Sequence, residues 1–453
     1  MGIWSRLSKL VTTRGSLTKD SLNMFLADTI GMALGILSSI LMARLFGPSG
    51  KGIITMVSLI PMTLLFIGLF GLNDTATYFI SRFRDRIREN FYTIHFLSWA
   101  SGIVVVAAAY LSFGYWYQAY ASYPRQLFLI ALPAALFLIL TTTLRSSLLG
   151  LQRIWEYNLL NIVQVFLNLV IVAVAGLLLG RSLKSYFILY IIILVFVSGY
   201  GLGLARRNTE ISRVPRGLNL RPILSYAARV YPVSLVVIMQ GRLDHFLIGY
   251  FLKPSELGIY SIAILLSENL LRITAAFQMA LFPRVSADWT DQKFSLAARV
   301  LRVINLLNII LSLLVAAVGY PLILLLFGRA FLPAYWPLLF LLLARIPEGL
   351  NKISSSSIIG IGRPGMVSIF GVLGVVLNGV LGWLLIPKMG ILGASLAKMT
   401  ASFLQALPAL VFFSLQSKMS LYSCLVPHRE DYDLIKTKVR SWLVRPRQTG
   451  NSE

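Results

Sequence analysis

Cysteine is nearly absent from this 453-residue chain, which holds only Cys424. A single thiol excludes an intramolecular disulfide and offers no framework for a metal site. Charge is also scarce, at 13% Asp, Glu, Lys and Arg, and within it the acids are outnumbered, 17 against 41 bases. With three histidines and no Asp-rich or His-rich cluster, the groups that metal-dependent or acid–base catalysis gathers at a site are missing. No Walker-type glycine-rich phosphate loop occurs, which argues against direct ATP drive. The longest internal polar stretch, 206–222, is about seventeen residues, too short for a catalytic loop domain. These absences predict a protein that is not an enzyme, has no catalytic residue and no metal site, and needs no cofactor beyond a coupling ion, proton or sodium.

What the chain has is hydrocarbon. It is 57% apolar, which places it among integral membrane proteins. A bilayer core of about 30 Å takes about 20 apolar residues per helix. Twelve such runs are found, near 21–46, 52–80, 91–113, 126–149, 156–179, 185–205, 223–252, 259–283, 300–326, 334–359, 365–386 and 391–415. Strand-like alternation is lacking, which excludes a β-barrel. The predicted fold class is all-α, with about twelve transmembrane helices.

The chain also contains itself twice. Leu149-Gly150-Leu151-Gln152-Arg153, followed by Val165-Phe166-Leu167-Asn168, returns 210 positions later as Ile359-Gly360-Ile361-Gly362-Arg363 and Val375-Val376-Leu377-Asn378. Pro48-Ser49-Gly50-Lys51-Gly52-Ile53 returns after 206 positions as Pro254-Ser255-Glu256-Leu257-Gly258-Ile259. Two echoes at nearly one offset imply a duplicated six-helix half, an organisation common among secondary transporters. An even number of helices per half makes the repeat parallel. The expected lobes are 20–205 and 223–415, joined by a linker at 206–222 that carries five arginines.

Loop charge sets the orientation. With the N-terminus in the cytoplasm, the inner loops hold clusters such as Arg82, Arg84, Arg86 and Arg88, while the outer loops offer mostly single bases such as Lys51, Arg125 and Lys253. This asymmetry predicts both termini inside. It also accounts for most of the +24 net charge, which is read as contact with anionic membrane lipid and not as nucleic-acid binding. Residues 1–19 have the spacing of a short interfacial helix without a signal-peptide cleavage site. Residues 416–453 read as a polar cytoplasmic tail.

With these features in place, a resemblance becomes specific. Ala43-Arg44-Leu45-Phe46-Gly47-Pro48, with Gly52 shortly after, resembles the first-loop signature of the polysaccharide-biosynthesis flippases. These are the Wzx-like members of the multidrug/oligosaccharidyl-lipid/polysaccharide (MOP) exporter superfamily, to which the MATE transporters also belong. Asp244-His245-Phe246-Leu247-Ile248-Gly249, Leu257-Gly258-Ile259-Tyr260 and Leu281-Phe282-Pro283-Arg284 are similar to that family's seventh and eighth helices. Gly360-Ile361-Gly362-Arg363-Pro364 is similar to its turn into the eleventh. The resemblance covers roughly 20–415. It implies a V-shaped, MATE-like pair of six-helix lobes, alternating access, and an undecaprenyl-pyrophosphate-linked oligosaccharide as cargo, moved to the outer leaflet of the cell membrane. Polysaccharide polymerase machinery is the candidate protein partner.

Charges inside the apolar runs are costly and mark candidate functional positions. The bases are Arg242, Arg272, Arg345, Lys352 and Lys398, and the acids Asp28, Asp244, Glu268 and Glu348. Glu268 and Arg272 have the i, i+4 spacing of a helical ion pair. Arg345, Glu348 and Lys352 form one stripe at i, i+3 and i+7, where a single acid serves two bases, so one cation is left over. A pyrophosphate carries two to three negative charges and suits such cations. Arg345, Lys352, Arg242, Lys398 and Arg272 are the candidate substrate-binding residues, and packing ion pairs are the competing reading for each. Asp28 and Asp244 are candidate ion-coupling sites or structural acids; His245 is a weaker titratable neighbour. Arg145, Glu156 and others near run ends are read as snorkelling. The Thr141–Thr143 and Ser354–Ser357 clusters suit close helix packing. The loop aromatics Tyr115, Trp116, Tyr117, Tyr120 and Tyr123 suit either an interfacial belt or sugar stacking.

The runner-up is a cation or drug antiporter of the same superfamily, whose cavity would need unpaired acids. Here the buried bases match or outnumber the acids, which favours an anionic cargo.

Overall fold

A computed structural model describes residues 17–207, 217–272, 274, 291–360 and 363–426. Most of the expected interfacial segment 1–19, the centre of the linker, the Leu281–Arg284 motif and the tail beyond 426 lie outside the described residues. Among those described, every element is helical and there is no strand. The first half holds α1 (Leu17–Leu69), α2 (Leu72–Arg82), α3 (Ile87–Leu111), α4 (Phe113–Tyr117), α5 (Arg125–Ala131), α6 (Ala134–Gly150), α7 (Ile154–Ala173) and α8 (Leu183–Arg206). The second holds α9 (Leu220–Phe251), α10 (Pro254–Glu268), α11 (Asp291–Leu326), α12 (Tyr335–Gly360), α13 (Pro364–Met389), α14 (Ile391–Ser417) and α15 (Leu421–Leu425). Nine helical segments among the described residues are long and apolar enough to cross a membrane. The chain is a multi-span membrane protein.

Glycine and proline set the helix ends. The first apolar run and most of the second are joined in α1, which breaks at Gly47, whose φ of 67° and ψ of −176° are non-helical, just before Pro48. A side chain disfavours that φ, so glycine is what lets two spans share so short a corner. Gly390, at φ 60°, does the same between α13 and α14.

The chain forms two compact units, Met1–Ser261 with Leu324–Leu332, and Ile262–Ile323 with Pro333–Glu453. In the first, Leu72, Ile80, Phe91, Leu148, Leu160 and Val197 form a core that Ile223 and Ala227 of α9 complete. Tyr226 of α9 stacks on Tyr78 of α2 with ring centroids 4.5 Å apart. In the second, Leu301 and Ile304 of α11, Leu350 and Ile353 of α12, and Leu410 and Phe413 of α14 close around Cys424.

Several hydroxyl groups inside these spans are bonded to the preceding turn, a local partner that hydrocarbon does not supply, although Ser354 Oγ is buried without one. Thr143, Ser147, Ser357 and Ser402 each donate to the carbonyl four residues earlier, at 2.8–3.1 Å. Thr141 also meets Ser198 of α8 at 2.8 Å. These bonds support helix packing as the role of the Thr and Ser clusters.

Candidate functional site

The stripe on α12 resolves as its spacing predicts. Arg345, 2% exposed, donates from Nη1 to Glu348 Oε2 at 2.6 Å and from Nη2 to Ser267 Oγ at 3.2 Å. The second oxygen of Glu348 accepts from Ser402 of α14 at 3.1 Å. Both carboxylate oxygens are therefore engaged, and Lys352, half-buried one turn further along, makes no hydrogen bond or ion pair among the described residues. Lys398 is 5% exposed and lies one helical turn before Ser402, whose hydroxyl donates to the Lys398 carbonyl at 2.8 Å. Helices α12 and α14 pack along each other, so the second unit gathers Arg345, Glu348, Ser402 and Lys398 on adjoining helices.

The Glu268–Arg272 pair does not form. Helix α10 ends at Glu268 and Asn269 is a turn, so the i, i+4 geometry that would align the two groups is lost. Arg272 is exposed, and neither residue has a hydrogen bond or ion pair through its side chain among the described residues.

In the first unit, α9 runs through Gly241 without interruption. Arg242 and Asp244 consequently point to different faces. Arg242 is half-buried and makes no bond among the described residues. Asp244, 2% exposed, accepts from the Tyr260 hydroxyl at 2.8 Å and lies 3.0 Å from His245 Nδ1, with the His245 backbone amide on the same oxygen. Each carboxylate oxygen is thus held by a neighbour on α9 or α10, which limits the solvation that a buried acid needs. Asp28 is instead exposed on α1, with no bonded partner among the described residues.

Two cations behave differently from their sequence reading. Lys51, taken as an outer-loop base, is 9% exposed and donates to Ser39 Oγ at 2.9 Å. Arg145, taken as snorkelling, turns inward to the Gln164 side chain and the Leu160 carbonyl of α7. The nearest acid in sequence, Glu156, is occupied by Arg153 at 2.6 Å. The sequence signal for this region was the amide series Asn158, Asn161, Gln164 and Asn168, which falls on one side of a helix.

In the aromatic loop at 113–123, the Tyr117 hydroxyl donates to the Tyr123 carbonyl at 3.0 Å, and Trp116 Nε1 to the Ala109 carbonyl at 3.2 Å. The Tyr120 phenol is pushed up to about 12 by burial, with Tyr250 adding to the effect. It therefore stays neutral near pH 7.

The order and packing of these helices match known membrane transporters. The lipid II flippase MurJ in an inward closed conformation aligns with a TM-score of 0.72 at 14% identity, covering 95% of this chain and 93% of its own. An inward-facing multidrug resistance MATE family transporter of the MOP superfamily aligns with a TM-score of 0.71 at 14% identity, covering 86% and 96%. At such identity the likeness is one of fold. In sequence, the probable low-salt glycan biosynthesis flippase Agl15 of Haloferax volcanii is 25% identical over 394 residues, 84% of this chain and 80% of the relative. The model of the polysaccharide biosynthesis protein family matches residues 41–335, more than half of the chain. The chain belongs to that family.

Proposed function

We propose that this protein is a flippase that moves a polyprenyl-pyrophosphate-linked oligosaccharide from the cytoplasmic to the outer leaflet by alternating access. The observation that carries the reading is the charge balance of α12. Both oxygens of Glu348 are bonded to Arg345 and Ser402, so Lys352, within a membrane span, has no hydrogen-bonded counter-ion of its own among the described residues. A cation there is costly unless an anion visits it. The likeness to a glycan biosynthesis flippase supports the class of cargo. In this reading Lys352, Arg345, Lys398 and Arg242 attract the pyrophosphate, and Asp244 and Asp28 are the sites where a proton or sodium ion would couple. The protein acts as a transporter without catalysis of its own. It sits in the cell membrane with both termini cytoplasmic and hands its product to polymerase machinery.

The test reconstitutes the purified protein in liposomes with a short-chain polyprenyl-pyrophosphate oligosaccharide, and an outside-only glycan-modifying enzyme reports exposure. Protein-dependent exposure that is lost in Lys352→Ala supports the reading. Efflux of a cationic dye without glycan exposure, under proton, sodium or voltage gradients, would instead assign the antiporter.

A further inference from the structure

Within the first compact unit, Arg145 is a cation in a membrane-spanning helix that has no carboxylate partner among the described residues. Its bonds go to a neutral amide, Gln164, and to the Leu160 carbonyl. Its Nε is buried without any partner. Two further unpartnered atoms lie on the helix that receives it, Asn158 Nδ2 and Asn168 Oδ1, and Asn158 is only 3% exposed. Asn161 Nδ2 reaches the open side of Gly31 on α1, 3.8 Å from where a Cβ would stand. At 100° per residue, positions 158, 161, 164 and 168 fall within about 120° of arc, so the four amides form one polar row. Buried polar atoms without partners cost free energy, and more so in hydrocarbon. A row that leaves both a donor and an acceptor unsatisfied beside an uncompensated guanidinium is matched by a ligand that brings an anion and hydroxyl groups together. An amide offers donors and an acceptor on one plane, suited to adjacent sugar hydroxyls, while a guanidinium takes phosphate oxygens in pairs.

We propose that Arg145 and the amides Asn158, Asn161, Gln164 and Asn168 form a second cargo subsite in the first unit, with phosphate on the guanidinium and glycan hydroxyls on the amides. This rests on the flippase reading for the identity of the cargo, but the anion site itself does not. With the basic loops inside, Arg145 lies five residues from the cytoplasmic end of α6, about 7–8 Å deep. That is the level at which a lipid-linked phosphate in the inner leaflet would first meet the protein.

The experiment uses the purified full chain in the Lys352→Ala background, so that Lys352 contributes nothing, and follows thermal unfolding with inorganic pyrophosphate as the first probe. The expected result is stabilisation that rises with pyrophosphate concentration and weakens about tenfold or more in Arg145→Gln, in line with the loss of one charge-assisted contact. Gln164→Glu supplies Arg145 with an internal carboxylate. It is expected to raise the unfolding temperature without ligand and to weaken the response to pyrophosphate as Arg145→Gln does, which keeps the test valid if Arg145→Gln folds poorly. Asn161→Ala with Asn168→Ala is expected to leave pyrophosphate binding intact and to weaken a short-chain polyprenyl-pyrophosphate disaccharide about tenfold. Pyrophosphate responses in Arg145→Gln and Gln164→Glu equal to their parent would overturn the anion site. Phosphatidylglycerol competing as well as the disaccharide lipid would overturn the cargo assignment, leaving a headgroup site. With Lys352 intact, Arg145-dependent pyrophosphate binding without any glycan exposure would sink the flippase reading and leave the anion site standing, whereas glycan exposure at the wild-type rate in Arg145→Gln alone would do the reverse.

Discussion

Gly52 and Gly258 lie backbone against backbone. A Cβ on Gly52 would stand 1.7 Å from the Pro254 carbonyl oxygen, and one on Gly258 would stand 2.0 Å from the Pro48 carbonyl oxygen and 2.9 Å from the Gly52 nitrogen. These are the same positions of the two copies of the Pro-Ser-x-x-Gly-Ile frame, 206 residues apart. The repeat is therefore self-complementary: each copy supplies a glycine to the proline carbonyl of the other. Because the obstacle is main chain, it cannot rotate aside as a side chain would. Gly52→Ala and Gly258→Ala should each destabilise the protein by about 3 kcal/mol or more, at or above the upper end of core overpacking. Thermal unfolding in detergent checks this, and wild-type stability in both variants would mean that the contact is not kept in solution.

Glu348→Gln should destabilise far more than its position on one helix suggests. It removes the counter-charge from Arg345, which is 2% exposed, and a buried charge left without its partner costs about 3–5 kcal/mol. The double change Arg345→Met with Glu348→Leu should recover much of that loss, since it removes both charges together. Chemical denaturation of the three proteins gives the comparison. A single mutant as stable as the double would mean that the pair is solvated.

Arg44 ties the end of a distant helix. Its Nε donates to the Leu326 carbonyl at 2.7 Å and its Nη2 to that of Leu325, at the C-terminus of α11, where carbonyls have no helical partner. Arg44→Ala should raise amide hydrogen exchange in 324–332 while leaving α12 protected. Unchanged exchange in that segment would show that other groups hold it.

Cys424 should be a slow thiol. It is 1% exposed, and burial pushes its pKa up, against an opposing effect of Arg302. A raised pKa means less thiolate at a given pH, and the thiolate is the reactive form. Maleimide labelling at neutral pH should be much slower in the folded protein than in denaturant. Equal rates would show that α15 does not stay docked on the α11–α14 core.

Much of the architecture was legible in advance because the features that reveal it are local. Apolar runs, with Gly and Pro at their ends, are read along the chain, and nine helical segments among the described residues are long and apolar enough to cross a membrane. The i, i+3, i+7 stripe of Arg345, Glu348 and Lys352 was legible for the same reason, since one regular helix carries all three. The Glu268–Arg272 pair failed where that assumption failed, at the turn on Asn269. Arg145 was misjudged because nearness to a helix end says nothing of the neighbouring helix, and it is Gln164 and Leu160 on α7 that draw its guanidinium inward.

The sequence alone determined that this is a helical membrane protein, with two echoed frames and too few acids to neutralise its bases. Composition and periodicity act additively along the chain, so no tertiary information is needed to read them. The tertiary structure decided which cation keeps a counter-ion. Arg345 wins Glu348 because Ser267, 78 residues away, and Ser402, 54 residues from Glu348, complete the cage around the pair, while Glu156 goes to Arg153 and leaves Arg145 with amides. Ion pairing in a low-dielectric interior depends on ångström-scale distances between helices remote in sequence, and only the folded packing sets those distances.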